Sequence, residues 1–317
     1  MDSQRWRFFG CALKSLFMEV FINGISRGAI YALVALGYTM VYGILGMINF
    51  AHGEIFMIGM FAGVYALGVL TALLGDHLGW NLSLAFILAA FLAAAYGYAN
   101  ERIAYRKLRR ANILAPLTSA IGLSIVLQNF IMLAVSKEQL NFPTYYSRYL
   151  VETKLWHGAI SLLQLGILVV AIVLMIGLFW LIHRTKIGIA MRATAQDQMM
   201  ASLVGISVNS IIAWTFILGS GLAAVAGMMV AMYQGTLKFD SGYLYGLKAF
   251  TAAVLGGIGN IPGAVLGGFL LGFTEDLTTT SKGLGSEWKN ITTFIILMVV
   301  LVVRPRGLLG ERVAEKV

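Results

Sequence analysis

The side chains able to do chemistry in this sequence sit where the chain is least polar. Two runs stand out, Gly43-Ile44-Leu45-Gly46-Met47-Ile48-Asn49-Phe50-Ala51-His52-Gly53-Glu54 and Gly256-Gly257-Ile258-Gly259-Asn260-Ile261-Pro262-Gly263. Each sets helix breakers and an Asn inside an otherwise apolar stretch. Ionisable groups at membrane depth are costly and usually functional, which makes His52 and Glu54 candidates for a polar pathway. The blander reading puts both at the membrane boundary, capping a helix that starts near Ile55, where an acidic first turn is favoured. The two readings are compatible, because the N-terminus of a half-helix also attracts a carboxylate ligand. Asn49 and Asn260 either satisfy interrupted backbone or line a pathway. The candidate pathway set is therefore Asn49, His52, Gly53, Glu54, Gly256, Gly257, Gly259, Asn260 and Pro262.

No catalytic constellation accompanies them. His52, His77, His157 and His183 fall in four separate segments with no neighbour at metal-ligand spacing, and no serine has a histidine partner nearby. The single cysteine, Cys11, excludes an internal disulfide and any Cys-pair zinc site. The chain contains no Gly-Lys dipeptide, so a Walker A loop is absent. Catalytic residues, a metal and a cofactor are all expected to be none. If nucleotide hydrolysis drives this protein, the ATPase is another chain.

The elements that position these residues must be membrane helices. Of 317 residues, 59% are apolar and only 12% charged, against about a quarter charged in an ordinary soluble domain. The mean hydropathy of +0.83 excludes a soluble enzyme. The expected fold is all-α and polytopic, with eight membrane elements near 20–45, 50–74, 82–99, 113–135, 162–183, 208–232, 246–273 and 290–303. Residues 1–18, with Trp6, Phe8 and Phe9 among Arg5, Arg7 and Lys14, read as an interfacial amphipathic helix. Lys14 and Glu19 interrupt the apolar core that a signal peptide needs. Residues 304–317 form a basic tail after a membrane domain spanning 19–303.

Charge gives the orientation. Lys+Arg total 23 and Asp+Glu 14, a balance of +9 that membrane proteins concentrate in short cytoplasmic loops. No basic-aromatic cluster points to nucleic acid instead. The loop with Arg102, Arg106, Lys107, Arg109 and Arg110, and the loop with Arg184, Lys186 and Arg192, both belong on the cytoplasmic side; the nearly neutral 136–161 then faces outward. Simple span-counting puts the basic N-terminus and the tail with Arg304, Arg306, Arg312 and Lys316 outside, against the charge rule. One broken or re-entrant element in each terminal third repairs both ends, and the two glycine-rich runs are the candidates. Paired interrupted segments of this kind point to a transport site and to inverted pseudo-repeats, here residues 19–135 and 162–303.

Gly24/Gly28, Gly59/Gly63, Gly263/Gly267 and Gly268/Gly272 have the small-xxx-small spacing of close helix packing. Trp156, Trp180 and Trp288 lie near span ends and read as interfacial anchors. The stretch from Ile187 to Ile206 reads as a short helix rich in small residues, suited either to a groove on a partner protein or to an ordinary surface position.

Three stretches of this sequence resemble a known family. Ile30-Tyr31-Ala32-Leu33-Val34-Ala35-Leu36-Gly37-Tyr38-Thr39-Met40-Val41-Tyr42 running on through Gly43–Glu54 is similar to the LivH-type permeases of branched-chain amino-acid ABC transporters. So are Arg192-Ala193-Thr194-Ala195-Gln196-Asp197 with Met200-Ala201-Ser202-Leu203-Val204-Gly205-Ile206, and Lys248-Ala249-Phe250-Thr251-Ala252-Ala253-Val254-Leu255 running on through Gly256–Gly263 to Ala264. The similarity runs from about residue 19 to the end.

The resemblance implies a multi-pass bacterial inner-membrane subunit, not an enzyme, that imports Leu, Ile or Val. Its implied partners are a second, LivM-type permease, two cytoplasmic ATPases (LivG- and LivF-type), a periplasmic binding protein and the lipid bilayer. The segment 188–206 then resembles the coupling helix that docks into the ATPases, with Arg192, Ala193, Thr194, Ala195, Asp197, Ala201 and Gly205 as its residues. It departs from the common Glu-Ala-Ala…Gly pattern, since only Ala201 matches, with Met199 and Met200 at the other two positions. The alternatives are a permease of the same family for urea or short amides, an ATP-independent channel or carrier, and, last, an intramembrane enzyme.

Overall fold

Lipid offers the backbone no hydrogen-bond partners, so long apolar runs satisfy their own N–H and C=O groups by forming helices. A computed structural model describes residues 2–109, 114–155, 160–280 and 285–310, with side chains from residue 18 onward. The readings placed on Arg110, Trp156, His157, Arg312, Lys316 and the side chains of residues 1–17 lie outside that set.

The helices in chain order are α1 (Asp2–Leu45), α2 (His52–Leu74), α3 (Leu78–Asn100), α4 (Leu114–Ala134), α5 (Thr144–Glu152), α6 (Leu162–Arg184), α7 (Lys186–Gln196), α8 (Gln198–Leu203), α9 (Val208–Gln234), α10 (Ser241–Gly256), α11 (Ile261–Thr280) and α12 (Trp288–Val303). A wider π turn, Glu101–Tyr105, extends α3. Six stretches, in α1, α2, α3, α4, α6 and α9, are long and apolar enough to cross a membrane. The chain is thus an all-α, polytopic membrane protein. The expected eight elements are approximate: α10 and α11 form a pair bent by 120°, and α12 is a shorter apolar helix.

Cross-links define two ends of the bundle. At one, Gln198 Nε2 donates to the Ile44 carbonyl at 2.9 Å, and the buried Glu101 accepts from Arg106 at 2.8 Å and from Arg109. Arg109 also donates to Asn209 Oδ1 at 3.1 Å, tying the end of α3 to the start of α9. This end collects the basic loops and α7–α8, and is the inner end by the charge rule. At the opposite, outer end, Gln164 Nε2 donates to Asn23 Oδ1 at 2.6 Å, and Leu140–Asn141 pairs antiparallel with Thr236–Leu237.

The reversal between α10 and α11 brings the chain back so that residues 304–310 pack beside the end of α10. There the Leu308 and Leu309 amides donate to the Leu255 and Gly256 carbonyls, both at 2.9 Å. The first interrupted run behaves differently. Residues 46–51 are a turn between α1 and α2, opened by Gly46 at φ 67°. The apolar stretches on either side are 28 and 23 residues long, and the turn carries the chain back along α1, so that His52 lies against Gly37 and Tyr38 rather than beside Leu45. A side chain built on Gly43 would touch Gly259 at 3.8 Å, so the two breaks lie next to each other.

The four glycine pairs sit at helix crossings. Gly24 and Gly28 face Phe273 and Phe269 of α11, Gly268 and Gly272 lie on Ala32 and Gly28 of α1, Gly59 rests on Ala224 of α9, and Gly267 on Ala252 of α10. Without a hydrophobic drive between helices in lipid, such backbone approach supplies the packing. α1 and α9 are mostly buried as a result, while α4 and α6 present most of their length outward.

Candidate functional site

Gly53 has no side chain, and this lets the backbone of α10 at Gly242 and Gly246 lie directly against the start of α2. The contact positions Glu54, one residue on, facing α10 and α4. Its carboxylate is 1% exposed; Oε1 accepts from Ser124 Oγ of α4 at 3.0 Å, and Oε2 has no hydrogen-bond partner among the described residues. The carboxylate reaches across to a neighbouring helix and leaves its own first turn uncapped. Ser124 and Gly242, which touch Glu54, also line a cleft of about 340 Å³ together with Tyr38, Phe50, Ile121, Ile125, Gln128 and Phe250. Phe250 packs at 6.3 Å from Phe50 and 6.4 Å from Tyr38. An apolar cleft with a buried acid just behind its wall can take an aliphatic body.

The other pathway candidates separate from Glu54. His52 turns away from the cleft, its ring 4.7 Å from that of Tyr38 and wedged against Gly37 and Gly219 between α1 and α9. Asn49 holds the turn: its Oδ1 accepts from the buried Tyr105 hydroxyl at 2.6 Å, joining residues 46–51 to the π turn of α3. Asn260 serves broken backbone. Its Oδ1 accepts from Gly263 N at 3.0 Å, capping α11, and its Nδ2 donates to the Leu309 carbonyl at 2.9 Å. Gly257 and Gly259 take φ of 111° and 95°, which side chains rarely adopt, and Gly256 packs directly on Gly263. Pro262 is exposed in the first turn of α11, where its missing N–H costs nothing.

The 187–206 segment is two helices rather than one. Asp197 breaks them with an extended backbone (φ −153°), and its side chain accepts from the amides of Met199 at 2.8 Å and Met200 at 3.1 Å. Thr194 and Ala201 are buried; Arg192, Ala195 and Gly205 are exposed, Ala193 and Asp197 half-buried. Gly205, at φ 87°, ends the turn after α8. Met199, Met200, Leu203 and Val204 are all at least 62% exposed, forming an apolar tip at the inner end.

Sequence reasoning missed a second polar region, at the outer end. Glu275 on α11 accepts from the Tyr31 hydroxyl at 2.6 Å and from Lys248 Nζ at 2.9 Å, with Arg27 at 3.5 Å. The other arm of Arg27 lies 3.5 Å from Asp276. The available signal was a set of charges inside or just beyond apolar runs. No group of three His, Cys, Asp or Glu able to hold a metal occurs among the described residues.

Residues 20–301 match the family model described as branched-chain amino acid transport system / permease component. The chain is 45% identical over 303 residues to the high-affinity branched-chain amino acid transport system permease protein BraD of Pseudomonas aeruginosa, covering 95% of this chain and 98% of that protein. It is 43% identical over 304 residues to the permease protein LivH of Escherichia coli K12, at the same coverage. A probable branched-chain amino acid transport permease of Methanocaldococcus jannaschii is 28% identical, covering 94% of each chain.

Proposed function

This chain belongs to the family of branched-chain amino acid transport permeases, and from that membership we propose that it carries leucine, isoleucine or valine across the bacterial inner membrane as one subunit of an ABC importer. The observation that carries the reading is the match to BraD and LivH across nearly the whole chain, which favours branched-chain amino acids over urea or short amides. The relatives are transport components and not enzymes. Energy then comes from partner chains: two LivG- and LivF-type ATPases, with a LivM-type second permease and a periplasmic binding protein completing the complex.

The exposed tip of α8 supports the coupling role. Apolar side chains on a short helix at the inner end suit a groove on an ATPase, and methionine adapts to such a surface. The Asp197 cap and the buried Ala201 fix α8 as a rigid knob, so a push on Met199 or Leu203 is delivered to Ile44 through Gln198. From there it enters α1, the buried axis of the bundle. In this reading the cleft beside Glu54 belongs to the substrate path, with Asn49 and Gly53 shaping its inner mouth and Gly256–Pro262 forming the hinge beneath it. Replacing Asp197–Gly205 with a flexible linker leaves the permeases assembled but abolishes substrate-stimulated ATPase activity in the reconstituted complex. Normal stimulation would refute the coupling role.

A further inference from the structure

The charged side chains gathered at the outer end do not cancel. Glu275 is met by Tyr31, Lys248 and Arg27, and Asp276 by the second arm of Arg27 alone, with its Oδ2 buried and without a hydrogen-bond partner among the described residues. Lys289, in the first turn of α12, is half-buried, and no carboxylate of the described residues lies within salt-bridge distance of it. Arg27, Lys248 and Lys289 thus face Glu275 and Asp276 with one positive charge over. Lys238 and Asp240, both exposed, line the smaller cavity and offset each other, and Glu19 stands exposed at the edge. Charge held away from water is costly unless paired, so the cluster is one carboxylate short.

Space for that carboxylate exists. Two adjoining cavities, of about 340 and 290 Å³, share Gln234, Thr236, Tyr245 and Lys289. Arg27, Lys289 and Glu275 line the larger one, with Tyr31, Tyr233 and the edges of Ile30 and Val230. Cations beside aliphatic surface match a molecule with a carboxylate at one end and a branched hydrocarbon at the other.

We propose that this vestibule is a binding station for the α-carboxylate of a free aliphatic amino acid entering the permease, held by Lys289 and Arg27 before it reaches the cleft at Glu54. The proposal rests on the import reading above. It is tested by equilibrium binding of radiolabelled leucine to the assembled permease–ATPase complex in lipid nanodiscs without binding protein. Leucine binds saturably, 4-methylpentanoate competes with it, and leucinamide, which lacks the carboxylate, does not. Lys289→Gln weakens binding by about tenfold, and Lys289→Arg restores it.

Absence of saturable binding, equal competition by leucinamide, or unchanged binding by Lys289→Gln overturns the station. Binding-protein affinity is measured alongside. If Lys289→Gln weakens docking of the binding protein while leucine binding is unchanged, the missing carboxylate belongs to that protein and the station is overturned. Uptake with binding protein present separates the two levels. Wild-type leucine uptake without a leucine site sinks the station alone, whereas no uptake of any branched-chain amino acid by the wild-type complex sinks the import reading.

Discussion

Glu275 and Glu54 are both buried carboxylates on membrane helices, yet their surroundings are opposite. Glu275 has two cations and a phenol, drawn from α1 and α10, within 3.5 Å. Glu54 has one hydroxyl, at 3.0 Å, and a free oxygen beside a cleft. The first is a clasp whose charges depend on one another. The second is left incomplete by the protein, and incompleteness is what a transient ligand can use. Burial alone does not separate a structural acid from a working one; the count of partners does.

The comparison can be broken most forcefully at Glu275. Glu275→Gln strands Lys248 in a low-dielectric site and leaves Arg27 with Asp276 alone, and the assembled complex should lose about 3–5 kcal/mol, read from thermal or denaturant unfolding in nanodiscs. Removing the pair together is gentler: Lys248→Met with Glu275→Leu should cost no more than about 2 kcal/mol, because no unpaired partner of that bridge remains. If the double variant is as unstable as the single, the clasp is not a charge-pairing device. Asn260→Ala removes the cap of α11 and its link to Leu309, for about 1 kcal/mol of local stability. Hydrogen exchange of the Gly263 and Leu309 amides is the readout. Glu54→Gln should be smallest in stability, within about 0.5 kcal/mol, since an amide still accepts from Ser124. Its leucine uptake should nevertheless fall, and a variant with normal uptake would remove Glu54 from the pathway.

Much of this was legible in the sequence. The small-xxx-small pairs named the crossings of α1, α2, α10 and α11, because close packing in lipid demands small residues at fixed spacing. Gly256–Gly263 named the sharp bend between α10 and α11. The interruption at 46–51 was legible too, but glycines mark a break without saying how the chain runs on after it. The direction in which His52 points was hidden for a related reason: its partner surface, Gly37 and Gly219, lies on other helices. The outer clasp was invisible because Tyr31 and Glu275 stand 244 positions apart, and no local pattern encodes their meeting.

That separation also sets a schedule for biogenesis. α1 is the least apolar of the six long spans, and it carries Arg27, whose counter-ions lie on α11. At a synthesis rate of about 5–20 residues per second, roughly 12–50 s pass between the emergence of Tyr31 and that of Glu275. Throughout that interval the insertion machinery must keep a positively charged helix at the membrane with no acid to meet it. The helix that becomes the buried axis of the mature bundle is therefore, during its manufacture, the one in greatest need of a chaperone.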